Sequence, residues 1–145
     1  MAYRILIVDD QEDVRSLLYS LLTMKGYEVI EAKDGMQAVA EVNKYRPDLM
    51  ILDVSMPRMS GFQTCQMIRK IRGCETLPVM FLTAKKSEAD KKFADRIGGN
   101  VYLTKPFNPN ELLFHVSELL QSYAPPDSAT DRPTIEATGK TDWQD

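Results

Sequence analysis

Soft metal ligands are scarce in this sequence: one histidine, His115, and two cysteines, Cys65 and Cys74. The cysteines have neither the two-residue gap of a redox or zinc pair nor histidine companions, which excludes a zinc centre. Both are expected to be reduced cytosolic thiols, since nothing suggests a secreted context. Long apolar runs are missing as well. None approaches the roughly 18 residues needed to cross a bilayer, and no export signal follows Met1, so a cytoplasmic protein without a membrane partner is expected. An excess of one charge is also absent. Eighteen Lys and Arg against 21 Asp and Glu leave a formal −3, which offers no general attraction to nucleic acid.

The 145 residues, 43% of them hydrophobic, suit one compact domain. The net charge is unevenly placed. Residues 124–145 carry five acids and two bases, which leaves sixteen of each for the first 123. That final stretch opens on Pro125-Pro126 and has no apolar periodicity, so it reads as a disordered tail or linker beyond a domain of residues 1–123. Its Gly139-Lys140-Thr141 is rejected as a phosphate loop, because no glycine stands five positions earlier and no strand leads in.

Within residues 1–123, four short apolar runs have the continuous character of strands buried on both faces: Ile5–Val8, Leu49–Leu52, Val79–Leu82 and the weaker Val101–Leu103. Tyr27–Glu31 is less continuous and reads as an edge strand. Helical spacing fills the gaps, clearest in Val14, Leu17, Leu18, Leu21 and Leu22 and again in Leu112, Leu113, Val116, Leu119 and Leu120. Asp10 with Asp13 and Asn108 with Glu111 have the spacing of helix starts, while Gly26 and Gly98 suit helix ends. Five β-α repeats predict an α/β fold, a doubly wound five-stranded parallel sheet with helices on both faces.

In such a sheet the residues that follow each strand meet at one edge. Here they are Asp9 and Asp10, Asp53, Thr83 and Lys105. Asp10 alone would be a helix cap, Lys105 a solvated charge and Thr83 a strand-end hydroxyl. Asp53 directly after a buried run is costlier to explain, because a buried acid needs a partner. Clustered carboxylates repel one another and call for a cation, and an all-carboxylate set favours Mg²⁺ shared with a phosphate. A lysine and a hydroxyl opposite them suit phosphoryl oxygens, so the set points to phosphoryl transfer onto a carboxylate.

Four segments carry a family resemblance: Ile7–Asp10, Asp53–Gly61, Phe81–Ala84 and Tyr102–Phe107. In this order they closely resemble the receiver domain of two-component response regulators, of the chemotaxis-regulator kind, over residues 3 to about 122. The resemblance implies a flavodoxin-like sheet of order 2-1-3-4-5. It implies Asp53 as phosphoacceptor, and Asp10, Asp53 and the Ser55 backbone carbonyl as magnesium ligands, with Asp9 supporting the metal. Lys105 would pair with the phosphoryl group and Thr83 would hydrogen-bond it, with Tyr102 as the aromatic switch. Ser55 and Lys85 would tune dephosphorylation, and the Lys105-Pro106 bond would be cis.

The implied function is a phosphorylation-activated switch in a histidine-to-aspartate phosphorelay, not an enzyme in its own right. Its donor would be a sensor histidine kinase or a histidine phosphotransfer protein. Its output would pass to a downstream protein through helix four, strand five and helix five, where Lys85, Lys86, Lys91, Lys92 and Arg96 give one end a basic character. A phosphorylation-dependent homodimer is a further expectation, and direct nucleic-acid binding by this chain is not expected. The alternative is the receiver of a longer regulator with a DNA-binding or enzymatic output domain. Two other classes fit worse. A haloacid dehalogenase-type hydrolase needs an acid at Ser55, and a flavodoxin-type carrier needs a phosphate-binding first loop where this chain has Asp9-Asp10-Gln11-Glu12.

Overall fold

A computed structural model describes residues 2–122 and 132–135. Strands and helices alternate: β1 Arg4–Val8, α1 Glu12–Met24, β2 Glu28–Ala32, α2 Gly35–Tyr45, β3 Leu49–Leu52, α3 Gly61–Arg69, β4 Val79–Thr83, α4 Glu88–Arg96, β5 Val101–Thr104 and α5 Pro109–Ser122. The strands form one parallel sheet in the order β2-β1-β3-β4-β5, as the resemblance implied. β2 lies at one edge, as its broken apolar run suggests. β5, the weakest of the continuous runs, is the other edge and is only half-buried.

Alternate residues of each strand feed two separate cores, the consequence of a period of two in a sheet covered on both faces. Leu6, Ile30, Met50 and Phe81 join Ala38 and Val42 of α2 and Ile68 of α3 on one face. Ile5, Ile7, Ile51, Met80 and Leu82 join Leu18 and Leu22 of α1 and Leu112, Val116 and Leu120 of α5 on the other. Each buried aliphatic side chain contributes roughly 1.5–3 kcal/mol on removal from water, so this double layer holds the strand ends in register and thereby fixes the site.

Local signals are mostly met. Asn108 Oδ1 accepts from the amides of Asn110 and Glu111, with Pro109 at the first helical position. Ser60 and Gln63 form a reciprocal capping box at α3. Gly26 and Gly98 end helices at φ 87° and 97°. Both cysteines are free and buried, and burial pushes their thiols up.

One expectation fails. Asp10 does not cap α1, whose cap residue is Gln11 with no side-chain bond. The nearby carboxylate, Asp9 Oδ1, accepts the Gln11 amide at 2.9 Å instead and leaves Asp10 exposed beside it. Within the expected tail or linker, the structure describes residues 132–135. Ile135 is buried in the α2-side core and Arg132 is bonded to Asp48. A lone isoleucine in polar sequence has no periodicity to reveal it, because its partners come from distant residues. Gly139-Lys140-Thr141 lies outside the described residues.

Candidate functional site

The strand register brings the candidate residues together. Val8 pairs with Leu52, so Asp9 and Asp53 leave adjacent strands side by side. The Asp9 amide donates to the Ala32 carbonyl at 3.2 Å and the Asp53 amide to the Val8 carbonyl at 3.0 Å, which extends the ladder to the site. Carboxylate oxygens of Asp9, Asp10 and Asp53 all lie within 4.8 Å of one another. Asp9 and Asp53 are buried and Asp10 is exposed.

Across the sheet, Thr83 pairs with Thr104, and the next residue, Lys105, donates its amide to the Thr83 carbonyl at 2.8 Å. Lys105 Nζ reaches Asp9 Oδ2 at 2.8 Å and Asp53 Oδ2 at 3.5 Å. Burial alone would lower the lysine's pKa. Its bond to Asp9 and the charges of Asp9 and Asp53 outweigh that and raise it, so the ammonium is held charged. Asp9 is pushed up, by burial first and by the Asp53 charge, against the pull of Lys105. The Lys105-Pro106 bond is cis, as the resemblance implied.

Thr83 is fully buried, and its Oγ1 accepts the Lys85 amide at 3.2 Å. The Tyr102 hydroxyl donates to the carbonyl of the same Lys85 at 2.8 Å. Thr83 and Tyr102 are therefore linked through the main chain of one residue. The Tyr102 ring lies 6.2 Å from that of Phe81, and burial, followed by the charges of Asp90 and Asp53, pushes its phenol up to about 12. Ser55 donates its amide to Asp53 Oδ1 at 3.3 Å. Beside these groups opens a cleft of about 550 Å³ lined in part by Ser55, Met56, Phe62, Lys85 and Asp90.

Two participants, Gln11 and Arg15, escaped the sequence. Gln11 contacts the site twice, through its amide to Asp9 and its side chain to Lys105 at 3.4 Å. Arg15 bonds the Asp9 carbonyl at 2.6 Å and pairs with buried Glu31 at 3.4 Å, tying β1 to the end of β2. The only available signal was Glu31, an acid inside a strand that must find a cation. Gly61 packs against the Asp53 backbone: a Cβ there would collide with the Asp53 carbonyl oxygen and sit 2.8 Å from its carbon.

Hard oxygen donors, two buried and one exposed, fit Mg²⁺, which binds through one or two carboxylates and keeps several waters. Fold and site thus define a doubly wound α/β protein with an acidic pocket at its topological switch point and a half-buried lysine reaching into it. The chain belongs to the response regulator receiver domain family, whose model matches residues 5–117. It is 49% identical over 123 residues to the uncharacterized transcriptional regulatory protein YrkP of Bacillus subtilis, spanning 85% of this chain and about half (52%) of that protein. The chemotaxis protein CheY4 of Vibrio cholerae superposes with a TM-score of 0.79 at 34% identity, covering 82% of this chain and 99% of that one. The receiver domain of the sensor histidine kinase PA1611 from Pseudomonas aeruginosa, solved with a magnesium ion in its active-site cleft, gives 0.77 at 29% identity over 84% of this chain and all of that one. The chain therefore carries a receiver domain of two-component signalling, a family of signalling switches. Among the described residues no helix is long and apolar enough to cross a membrane.

Proposed function

We propose that Asp53 accepts a phosphoryl group from the phosphohistidine of a sensor kinase or histidine phosphotransfer protein. One observation carries this reading: Asp53 directly follows β3, with two further carboxylates within 4.8 Å and the Lys105 ammonium at 3.5 Å. An Asp53 oxygen attacks phosphorus in line, an acyl phosphate bond forms, and the P–N bond to the leaving imidazole breaks. No general base is needed for an ionised carboxylate. Asp10, Asp53 and the Ser55 carbonyl would hold Mg²⁺, with Asp9 in support; when bound, it neutralises charge on the phosphoryl oxygens. Lys105 supplies the second cation, and the neighbouring cleft admits the donor.

Output starts at Thr83. Turning its hydroxyl to a phosphoryl oxygen removes the acceptor of the Lys85 amide, which loosens the residue whose carbonyl holds Tyr102. The rearranged surface is α4-β5-α5, through which we place both the downstream partner and a phosphorylation-dependent homodimer. Its basic residues are diluted by Glu88, Asp90 and Asp95, and Lys91 pairs with Glu88 at 3.8 Å. The surface is thus mixed in charge and suits a protein better than nucleic acid. Ser55 and Lys85 tune the lifetime: neither can orient an attacking water as an acid or amide would, so hydrolysis is slower than in fast chemotaxis receivers. Residues 1–123 make the switch domain, and two free thiols suit the reducing cytoplasm.

Incubating the protein with Mg²⁺ and acetyl phosphate and reading the intact mass tests the assignment. One added phosphoryl group, absent in Asp53→Asn, is expected. Unchanged mass in the wild type, or phosphorylation that survives the substitution, overturns it.

A further inference from the structure

The edge of the sheet opposite the acidic pocket holds a second buried carboxylate with an unusual partner. Asp48 precedes β3, so the four-residue strand separates it from Asp53 by roughly 16 Å. It is 2% exposed. Its Oδ2 accepts the Arg4 amide at 2.7 Å, and its Oδ1 accepts from Arg132 Nη1 at 2.8 Å. Arg4 does not compensate the charge, because its guanidinium is directed to Glu28 and the Tyr45 carbonyl. Among the described residues, the cation on Asp48 comes from the C-terminal segment. The same Arg132 nitrogen donates to the Arg46 carbonyl at 2.8 Å, at the left-handed cap that ends α2. Three residues on, Ile135 is buried in the apolar cluster that includes Val42, Tyr45, Cys74 and Leu77.

We propose that Arg132-Pro133-Thr134-Ile135 is a docking motif and that the Asp48 edge is its binding site, occupied by this chain's own C-terminal segment. The site has two parts, a desolvated carboxylate with an adjoining carbonyl for an arginine and an apolar recess for an aliphatic side chain. Pro133 fixes one backbone angle between the two anchors and so lowers the entropy lost on docking. The connection is long enough. Helices in this fold run antiparallel to the strands, so α5 ends at the edge where β1 and β3 begin, and the nine residues 123–131 reach up to about 30 Å. α5 belongs to one face and Ile135 to the core of the other, so the segment is anchored across the sheet from the helix that leads to it. Burying Asp48 without a cation is costly, which gives the arginine its role.

The full chain, labelled with ¹⁵N, provides the test through backbone relaxation at Thr134 and Ile135. Docking gives order parameters near the rigid value of about 0.85, and Arg132→Ala and Ile135→Asp each lower them below about 0.6. The Arg4 and Asp48 amides shift in both variants, while those of Val101–Thr104 do not. Asp48→Asn releases the segment as well. Thr134 and Ile135 relaxing like a free peptide in the wild type overturns the proposal without reference to any variant's folding. Retained order in both Arg132→Ala and Asp48→Asn overturns the ionic anchor. Order confined to a dimer fraction in sedimentation overturns occupancy by the same chain. None of these measurements depends on phosphorylation of Asp53.

Discussion

Replacing Gly61 with alanine places a methyl group where the backbone leaves no room. The new Cβ would lie 2.8 Å from the Asp53 carbonyl carbon and 2.9 Å from Val54 Cα, and closer still to the Asp53 oxygen. Carbon atoms in good contact sit about 3.5–4.0 Å apart, so the two chains must separate by at least roughly 0.7 Å. The opposing atoms are main chain, held by the Asp53 amide on Val8 and the Gly61 amide on Val54 at 2.8 Å. Overpacking by one methyl costs about 1–3 kcal/mol, and a strained hydrogen bond adds about 1. The expected destabilisation is about 2–4 kcal/mol, or a fall in Tm of about 10 °C for a domain of this size. Gly26→Ala is the control. That residue has φ 87° and nothing within 4 Å of its would-be Cβ, so only the left-handed backbone penalty of about 1–2 kcal/mol applies. Urea unfolding followed by circular dichroism measures both. Because the clash moves Asp53, acetyl phosphate labelling also falls in Gly61→Ala and stays normal in Gly26→Ala. A Gly61→Ala protein within about 0.5 kcal/mol of the wild type, or more stable than Gly26→Ala, would refute the steric argument.

Lys105→Ala removes the cation shared by Asp9 and Asp53, and labelling rates in the acetyl phosphate assay fall by about 100-fold, the scale seen on losing one preorganised donor. Asp10→Asn relieves repulsion from two carboxylates within 4.8 Å and raises stability by about 2 kcal/mol at a water-like dielectric; the same variant loses the Tm gain that Mg²⁺ is expected to give the wild type. Burial pushes the Tyr102 phenol up to about 12 and the Tyr27 phenol up as well, so an ultraviolet difference titration is expected to show late tyrosine ionisation that is reduced, not abolished, in Tyr102→Phe. The protonated form of Tyr102 is favoured by folding, so the related stability is complete below pH 10 and is lost as pH rises towards about 12.

The sheet and the site were legible for a common reason. Ile5–Val8, Leu49–Leu52 and Val79–Leu82 are continuous apolar runs, and Asp9, Asp53 and Lys105 stand just beyond strands, where the side on which they emerge follows from topology alone. What escaped depends on contacts between distant residues. The Arg15–Glu31 pair joins a helix face to a neighbouring strand, and no spacing within α1 announces it. Asp10 has the spacing of a cap, yet Asp9 captured the Gln11 amide first. Arg132 lies 84 residues beyond Asp48, and Ile135 lies 90 beyond Tyr45 of the cluster it joins, in a stretch without periodicity, and only the assembled edge gives them partners. The link from Thr83 to Tyr102 runs through main-chain atoms, which are the same for any residue but proline at position 85.

That last link separates two properties that a single residue would otherwise confound. At Lys85 the amide and carbonyl connect the buried hydroxyl to the aromatic ring, while the side chain lines the cleft beside Asp53. On the proposed reading of Asp53 and Lys85, substitution at this position would lengthen or shorten the life of an acyl phosphate while leaving the linkage between hydroxyl and ring in place. Under that reading, how long a signal lasts and how it is relayed would be open to independent change from one residue.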